Sequence, residues 1–264
     1  MIVKLQNRVL IKVSGNDACK FLNSQFSNKV SDISNNDMQI NAYCQHQGKV
    51  IAIIWVICLD DNFYLSFPKD IKNSVLDKLN LFKLMSEVEF TDVSDTLFQY
   101  GIIDEICQNS IKITGKLSLL ISSEKIKFSF DELLWEQNCI KLNLPEIYNS
   151  TSEKFIPQAL NLDIDEIGVS FSKGCYPGQE VVARMHYLGK PKRRLFQFES
   201  KFEPATGDTI TVKESESIKS SGVVIRVAKN DDSYYFLGTL EIKHSNKKIY
   251  LNNDVNKPLN IINA

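Results

Sequence analysis

The sequence predicts an α+β protein: two ferredoxin-like αβ units followed by a small C-terminal β-barrel. Residues 9–93 alternate strand-like runs with two helical periods. Beyond residue 190, short strands follow one another across polar turns with no helical period between them. The 264-residue chain is 43% hydrophobic and 24% charged, the balance of a globular protein, and has room for one large domain or two smaller ones. Its net charge of −1 gives no global pull toward nucleic acid or membrane.

Val9 to Val13 reads as a strand. Ser14-Gly15-Asn16-Asp17 is a turn with capping side chains, and Ala18, Phe21, Leu22 and Phe26 follow at helical spacing. Met38 to Cys44 and Val50 to Leu59 read as strands joined through Gln45-His46-Gln47-Gly48-Lys49, with Phe63 to Phe67 a third after the turn at Asp60-Asp61-Asn62. Past Pro68, Ile71, Val75, Leu76, Leu79 and Phe82 form one apolar helical stripe. Glu87 to Val93 returns as a strand, completing a split βαβ pattern.

The middle of the chain is less regular. Leu97 to Ile103, Leu117 to Ile121 and Ile126 to Phe130 read as strands, and Asp131 as the cap of a short helix carrying Trp135. The character changes at Gly189, so the expected domains are 1–189 and 190–264. The strands of the second are Arg194 to Phe198, Asp208 to Lys213, Gly222 to Ala228, Tyr234 to Ile242 and Lys248 to Leu251. The charged runs Lys213 to Glu216 and Asn252 to Asn256 read as solvated loops. The longest apolar run, Val50 to Leu59, falls short of the roughly 20 residues a membrane span needs. The N-terminus has no apolar core flanked by a cleavage site, so the expected location is the cytoplasm and no membrane partner is expected.

Six cysteines stand at 19, 44, 58, 107, 139 and 175, none in a C-x-x-C pair. Disulfides and a structural zinc are therefore not expected. Five of the six read as small buried apolar residues. Cys175 differs because of Lys173-Gly174-Cys175-Tyr176-Pro177-Gly178-Gln179-Glu180. The two glycines permit unusual backbone angles and close approach, and Pro177 suits the first turn of a helix. Gly178 to Leu188 then reads as a short helix with Val181, Val182, Met185 and Leu188 on one side. A thiol on such a turn meets the positive end of the helix dipole, and an inward-pointing Lys173 would add a cation.

These residues resemble the YgfZ family of folate-binding proteins, relatives of the glycine-cleavage T-protein, an aminomethyltransferase. The likeness rests on the Lys173–Glu180 signature together with Phe155-Ile156-Pro157-Gln158, Asn161-Leu162-Asp163 and Ser170-Phe171-Ser172. Weaker likeness at Gly15-Asn16-Asp17, Phe21-Leu22 and Gln25 extends it to the N-terminus. The resemblance implies a T-protein-like folate-binding region ahead of the barrel. It implies tetrahydrofolate or another folate as ligand, and a role supporting iron–sulfur enzymes, including one that thiomethylates tRNA. It makes Cys175 the functional thiol, with Lys173, Gly174, Tyr176, Gln179, Glu180 and Arg184 shaping its surroundings. Trp135 matches a family tryptophan that lies against the folate. Arg8 falls where the family has a second aromatic, able to stack on a ring or pair with the ligand's glutamate tail. The pterin-binding glutamate of the T-protein relatives falls on Lys141, which has only donors. Glu136, Glu146 and Glu153 are the candidate replacements. Where the family often shows C-D-x-K-G-K, this chain has Cys44-Gln45-His46-Gln47-Gly48-Lys49.

The leading functional reading is thus a folate-dependent accessory protein for iron–sulfur enzymes, acting through Cys175. A true aminomethyltransferase needs a carboxylate beside the folate nitrogen, and no matching acid stands in the first αβ unit. A binding module for tRNA or a partner protein is the third reading. Its surface would be Lys190, Lys192, Arg193 and Arg194, with Arg184 nearby; the alternatives are that this stretch meets the folate's anionic glutamate tail or is a solvated connection between domains. Glu180 and Arg184, four apart, also suit an ordinary helix ion pair.

Overall fold

The computed structural model describes residues 1–105, 107–128, 132–214 and 217–263. In chain order its elements are β1 (Ile2–Lys4), β2 (Arg8–Ser14), α1 (Ala18–Gln25), β3 (Asp37–Cys44), β4 (Val50–Leu59), β5 (Asn62–Pro68), α2 (Lys72–Phe82) and β6 (Glu89–Asp92). Then come β7 (Phe98–Ile103), β8 (Ile111–Thr114), β9 (Leu117–Ser122), α3 (Glu132–Lys141) and α4 (Gln179–Leu188). The remaining strands are β10 (Arg193–Ser200), β11 (Thr209–Glu214), β12 (Ser217–Asn230), β13 (Ser233–Glu241), β14 (Ile249–Leu251) and β15 (Asp254–Asn263).

The first sheet runs β3-β4-β5-β2-β6. β5 and β6 both pair antiparallel with β2, so they are parallel to each other, joined by α2 and split by β2. This is the expected split βαβ unit. The apolar run of β4 reads as a strand covered on both faces, and its residues alternate accordingly. Ile51, Ile54 and Val56 meet Phe21 and Leu22 of α1 and Val75 and Leu79 of α2. Val50, Ile53, Trp55 and Ile57 face the opposite way, into the core shared with Leu117, Leu119, Trp135 and Cys139.

The second sheet, β1-β7-β9-β8, is antiparallel, with α3 packed against β1 and β7. Two of its strands, β1 and β8, are too short to stand out by periodicity. The expected strand at Ile126 to Phe130 does not form over 126–128; residues 129–130 and the expected cap Asp131 lie outside the described residues. From β10 onward the strands close into a barrel, β10-β13-β12-β11-β14-β15. The barrel has six strands, one more than expected. Asn252 and Asn253 make a tight turn with φ of 53° and 63°. The polar residues after it continue as β15, which pairs with both β14 and β10 and closes the cylinder. Closure satisfies the edge strands that the polar reading left open.

Two helical stripes are narrower than expected. On α2, Phe82 is 47% exposed, and on α4 Val181 and Leu188 are exposed, leaving Val182 as the buried anchor. Among the described residues no helix is long and apolar enough to cross a membrane, and no cluster of His, Cys, Asp and Glu could hold a metal ion.

Candidate functional site

The loop 173–178 sits where three pieces of chain meet. Gly168 O accepts the Ser27 hydroxyl at 2.5 Å, and Ser170 N donates to Ser27 O at 3.0 Å, tying the approach to the end of α1. Lys173 then turns inward, 6% exposed, and its ammonium donates to the carbonyls of Asn23, at 2.5 Å, and Phe26. The same ammonium lies 5.0 Å from the centroid of the buried Tyr176 ring. Burial pushes the Lys173 ammonium down to about 8, while the Cys175 thiolate opposes that shift. A buried amine is therefore fastened to backbone within electrostatic reach of the thiol.

Gly178 precedes α4 with φ of 82°. A Cβ there would lie 2.4 Å from Gln45 O and 2.8 Å from Gly48 Cα, so the β3–β4 turn rests directly on the start of the helix. Gly48, at φ 74°, returns the contact: its Cβ would come 3.0 Å from Val181 Cβ. Only glycine fits either position. Gly174 is different, since a Cβ there meets nothing within 4 Å. The expectation that both signature glycines serve close approach holds for Gly178 alone.

On this platform Cys175 is exposed. Cys19 and Cys107 are half-buried and the other three cysteines are buried; Cys44 and Cys139 are pushed up to about 12 by burial. Gln179 donates weakly to Lys173 O at 3.4 Å. Glu180 and Arg184 stand exposed on the following turns, and no ion pair joins them among the described residues. His186, next along α4, is exposed and stacks on Phe171 with ring centroids 3.7 Å apart.

Trp135 and Arg8 do not join this loop; they meet each other elsewhere, in the centre of the molecule. Trp135 is 2% exposed and lies flat on β7, where a Cβ on Gly101 would be 2.4 Å from its ring. Arg8 stacks on Trp55, 3.8 Å from that ring's centroid, donates twice to Ser66 at 2.9 Å, and pairs with the buried Glu146 carboxylate. Beside it, Arg226 of β12 forks onto Glu136 of α3 at 2.5 and 3.0 Å and donates to Leu144 O at 3.1 Å. The cavity between these groups is about 40 Å³, bounded by Leu5, Arg8, Trp135, Glu146, Tyr148 and Arg226. Ligand sites for drug-sized molecules run to roughly 300–1,000 Å³, so the enclosed space beside Trp135 takes no folate with these side chains in place, while an open space of about 580 Å³ adjoins it and shares Asn7, Pro68, Glu132, Glu136 and Tyr148. Arg8 is spent on protein partners instead of being free for a ligand tail. Lys141 lies exposed at the end of α3, its carbonyl accepting from Gln197. Of the candidate carboxylates, Glu136 and Glu146 do reach the cavity, each committed to an arginine, whereas Glu153 pairs with Lys78 at the surface. Sequence reasoning missed Arg226. Its signal was an arginine inside the apolar run 223–228, a position that needs a buried partner.

No protein-family model matches the chain. It is 33% identical over 263 residues to an uncharacterized protein of Haemophilus influenzae, covering 96% of this chain and 89% of the relative. It is 28% identical over 266 residues to the tRNA-modifying protein YgfZ of Colwellia psychrerythraea, covering 88% and 82%, and 26% identical over 261 residues to the one from Buchnera aphidicola, covering 84% and 81%. Its fold is similar to the crystal structure of glycine cleavage system aminomethyltransferase T from Bartonella henselae. That match has a TM-score of 0.70 at 12% identity and covers 100% of this chain and 84% of the other.

The exposures set an order of thiol reactivity. Brief treatment of the native protein with iodoacetamide, followed by peptide mass spectrometry, should label Cys175 first and leave Cys44 and Cys139 unmodified until the chain unfolds. The central pairs set a stability test. Replacing Glu146 with Gln strands the Arg8 charge in the core and should cost about 3–5 kcal/mol in urea unfolding.

Proposed function

The chain belongs to the YgfZ family, and on that premise we propose that it is an accessory protein of tRNA modification that works through the Cys175 thiol. The observation that carries this reading is the pairing of an exposed cysteine with a rigid floor. Lys173 is clamped by two carbonyls, Tyr176 is buried beneath, and Gly178 is locked against Gly48. A surface cysteine of no consequence does not require a buried ammonium beside it. The curated relatives named as tRNA-modifying proteins supply the process. In this reading the partner is an iron–sulfur enzyme of the tRNA-thiomethylating kind. A thiol is the side chain suited to it, because thiolates are the natural ligands of iron–sulfur clusters. Gln179, Glu180 and Arg184, lining the first turns of α4, form the rim that such a partner would meet. Residues 1–189 and 190–264 act here as two domains of one working unit.

Tetrahydrofolate, the ligand the family resemblance implies, has no step in this proposal. The cavity beside Trp135 is filled by the protein's own arginines and carboxylates. An aminomethyltransferase reaction is disfavoured on the same ground, since both central carboxylates are already paired and there is no room for a reacting folate nitrogen.

In cells lacking the gene, the wild-type chain should restore tRNA thiomethylation, measured by nucleoside mass spectrometry, and Cys175→Ser should not. Full restoration by the serine variant would remove the thiol from the proposal. Titration calorimetry of the folded protein with tetrahydrofolate should show no saturable heat; a one-to-one isotherm would return folate to the mechanism.

A further inference from the structure

Alongside α4 runs a groove of about 480 Å³ whose charged lining is almost all positive. Lys49 comes from the β3–β4 turn, Lys154 from the loop ahead of Phe155, and Lys190, Lys192 and Arg193 from the connection into β10. Phe155, Ile156 and Met185 are among its apolar walls. The single acid lining it, Glu241, is already held by Arg193 and Lys243, each at 3.1 Å. None of the four lysines joins an ion pair among the described residues; Lys49 donates instead to the carbonyl of Lys154 at 3.2 Å. Three separate stretches thus bring unneutralised cations together in a chain whose net charge is −1.

The basic residues that stand together in sequence are not the ones that act together. Arg194 is taken out of the cluster, because its guanidinium grips Asp163 at 2.5 and 3.0 Å and donates to Gln158 O. Lys49 and Lys154, far apart in sequence, take its place. Like charges in one groove repel, and a polyanion relieves that repulsion. The groove is bordered by the same turn and helix that hold the thiol loop: Lys49 follows Gly48, which touches α4 at Gly178 and Val181, and Met185 of the same helix lines the groove.

We propose that this groove holds the phosphodiester backbone of tRNA, presenting the substrate alongside the Cys175 loop. The choice of occupant rests on the tRNA-modification reading above and on the lining itself. Lysines meet phosphates as point charges, and the one arginine here is committed to Glu241. None of the lining residues presents an exposed ring for bases to stack on, so the contact is led by the backbone and indifferent to sequence.

Binding of fluorescently labelled bulk tRNA to the full chain, followed by anisotropy from 50 to 300 mM KCl, tests this. Four phosphate contacts should give a log–log salt slope of about −3 to −4. The variant Lys154→Gln/Lys190→Gln/Lys192→Gln should melt like the wild type, bind tRNA about tenfold or more weakly at 100 mM salt, and lose roughly one unit of slope per lysine removed. The control Lys20→Gln/Lys112→Gln should bind unchanged. Wild-type affinity and slope in the triple variant would overturn the assignment, as would absence of tRNA binding at 50 mM salt. Equal competition by polyglutamate at matched charge would also overturn it, in favour of an acidic protein. Cys175→Ser should bind tRNA normally. If the wild-type chain fails to bind tRNA while Cys175→Ser still loses modification in cells, the groove falls and the thiol reading stands; if Cys175→Ser restores modification while tRNA binding depends on the lysines, the thiol falls and the groove stands.

Discussion

Two ion pairs at the centre of the molecule, one buried and one with its acid half-buried, govern how its parts are joined. Arg8–Glu146 and Arg226–Glu136 bring charges from β2, from the loop after α3, from α3 itself and from the barrel into one place. A buried charge is tolerated only when paired and hydrogen-bonded. Here Ser66 takes the remaining donors of Arg8, and Leu144 O takes one from Arg226. Because each partner comes from a different element, moving the barrel away from the first sheet would strand at least one charge. The pairs therefore serve orientation more than net stability, since well-packed apolar side chains in the same space would do as well energetically.

The same pairs account for what the central cavity lacks. In a fold similar to an aminomethyltransferase, the space beside Trp135 is narrowed by side chains that reach across it. Arg8 is the side chain that crosses it. It is long enough to stack on Trp55 and still reach Glu146. Once a guanidinium occupies that position, a neighbouring carboxylate has to neutralise it, and Glu146 is no longer free to accept hydrogens from a ring. The arginine at one position thus explains the commitment of the carboxylate at another.

Most of the fold was legible in the sequence because its elements are long enough to show a period. Val50 to Leu59 and the stripe through Val75 and Leu79 needed nothing else. The losses have local causes. β1 and β8 have only three and four residues, no more than two periods. β15 begins in Asp254-Val255-Asn256-Lys257, residues chosen for a turn and an exposed strand face, so composition argued for a loop. For the site, the motif around Cys175 was readable, but its anchoring was not. Lys173 reaches Asn23 and Phe26 about 150 residues away, contacts of sequence separation 150 and 147. The central cavity was legible in part: Arg8, Trp135, Glu136 and Glu146 do line it. Counting along α3 led to Lys141 on the surface, while the groups that fill the space come from Glu146 and Arg226, whose meeting only the closed barrel decides.

The two places are mechanically independent, and this bears on how one can change without the other. Lys173 hangs from the end of α1, and Gly178 rests on the β3–β4 turn. Neither α1 nor that turn lines the central cavity. A change that fills the cavity with ion pairs therefore leaves the thiol platform undisturbed, whereas one added methyl at Gly178 or Gly48 would push the turn off α4 and move the loop. Backbone-to-backbone approach admits no partial accommodation, while a cavity lined by side chains can be repacked in steps. On that ground the Cys175 loop is the part of this molecule whose geometry is most narrowly determined by its sequence.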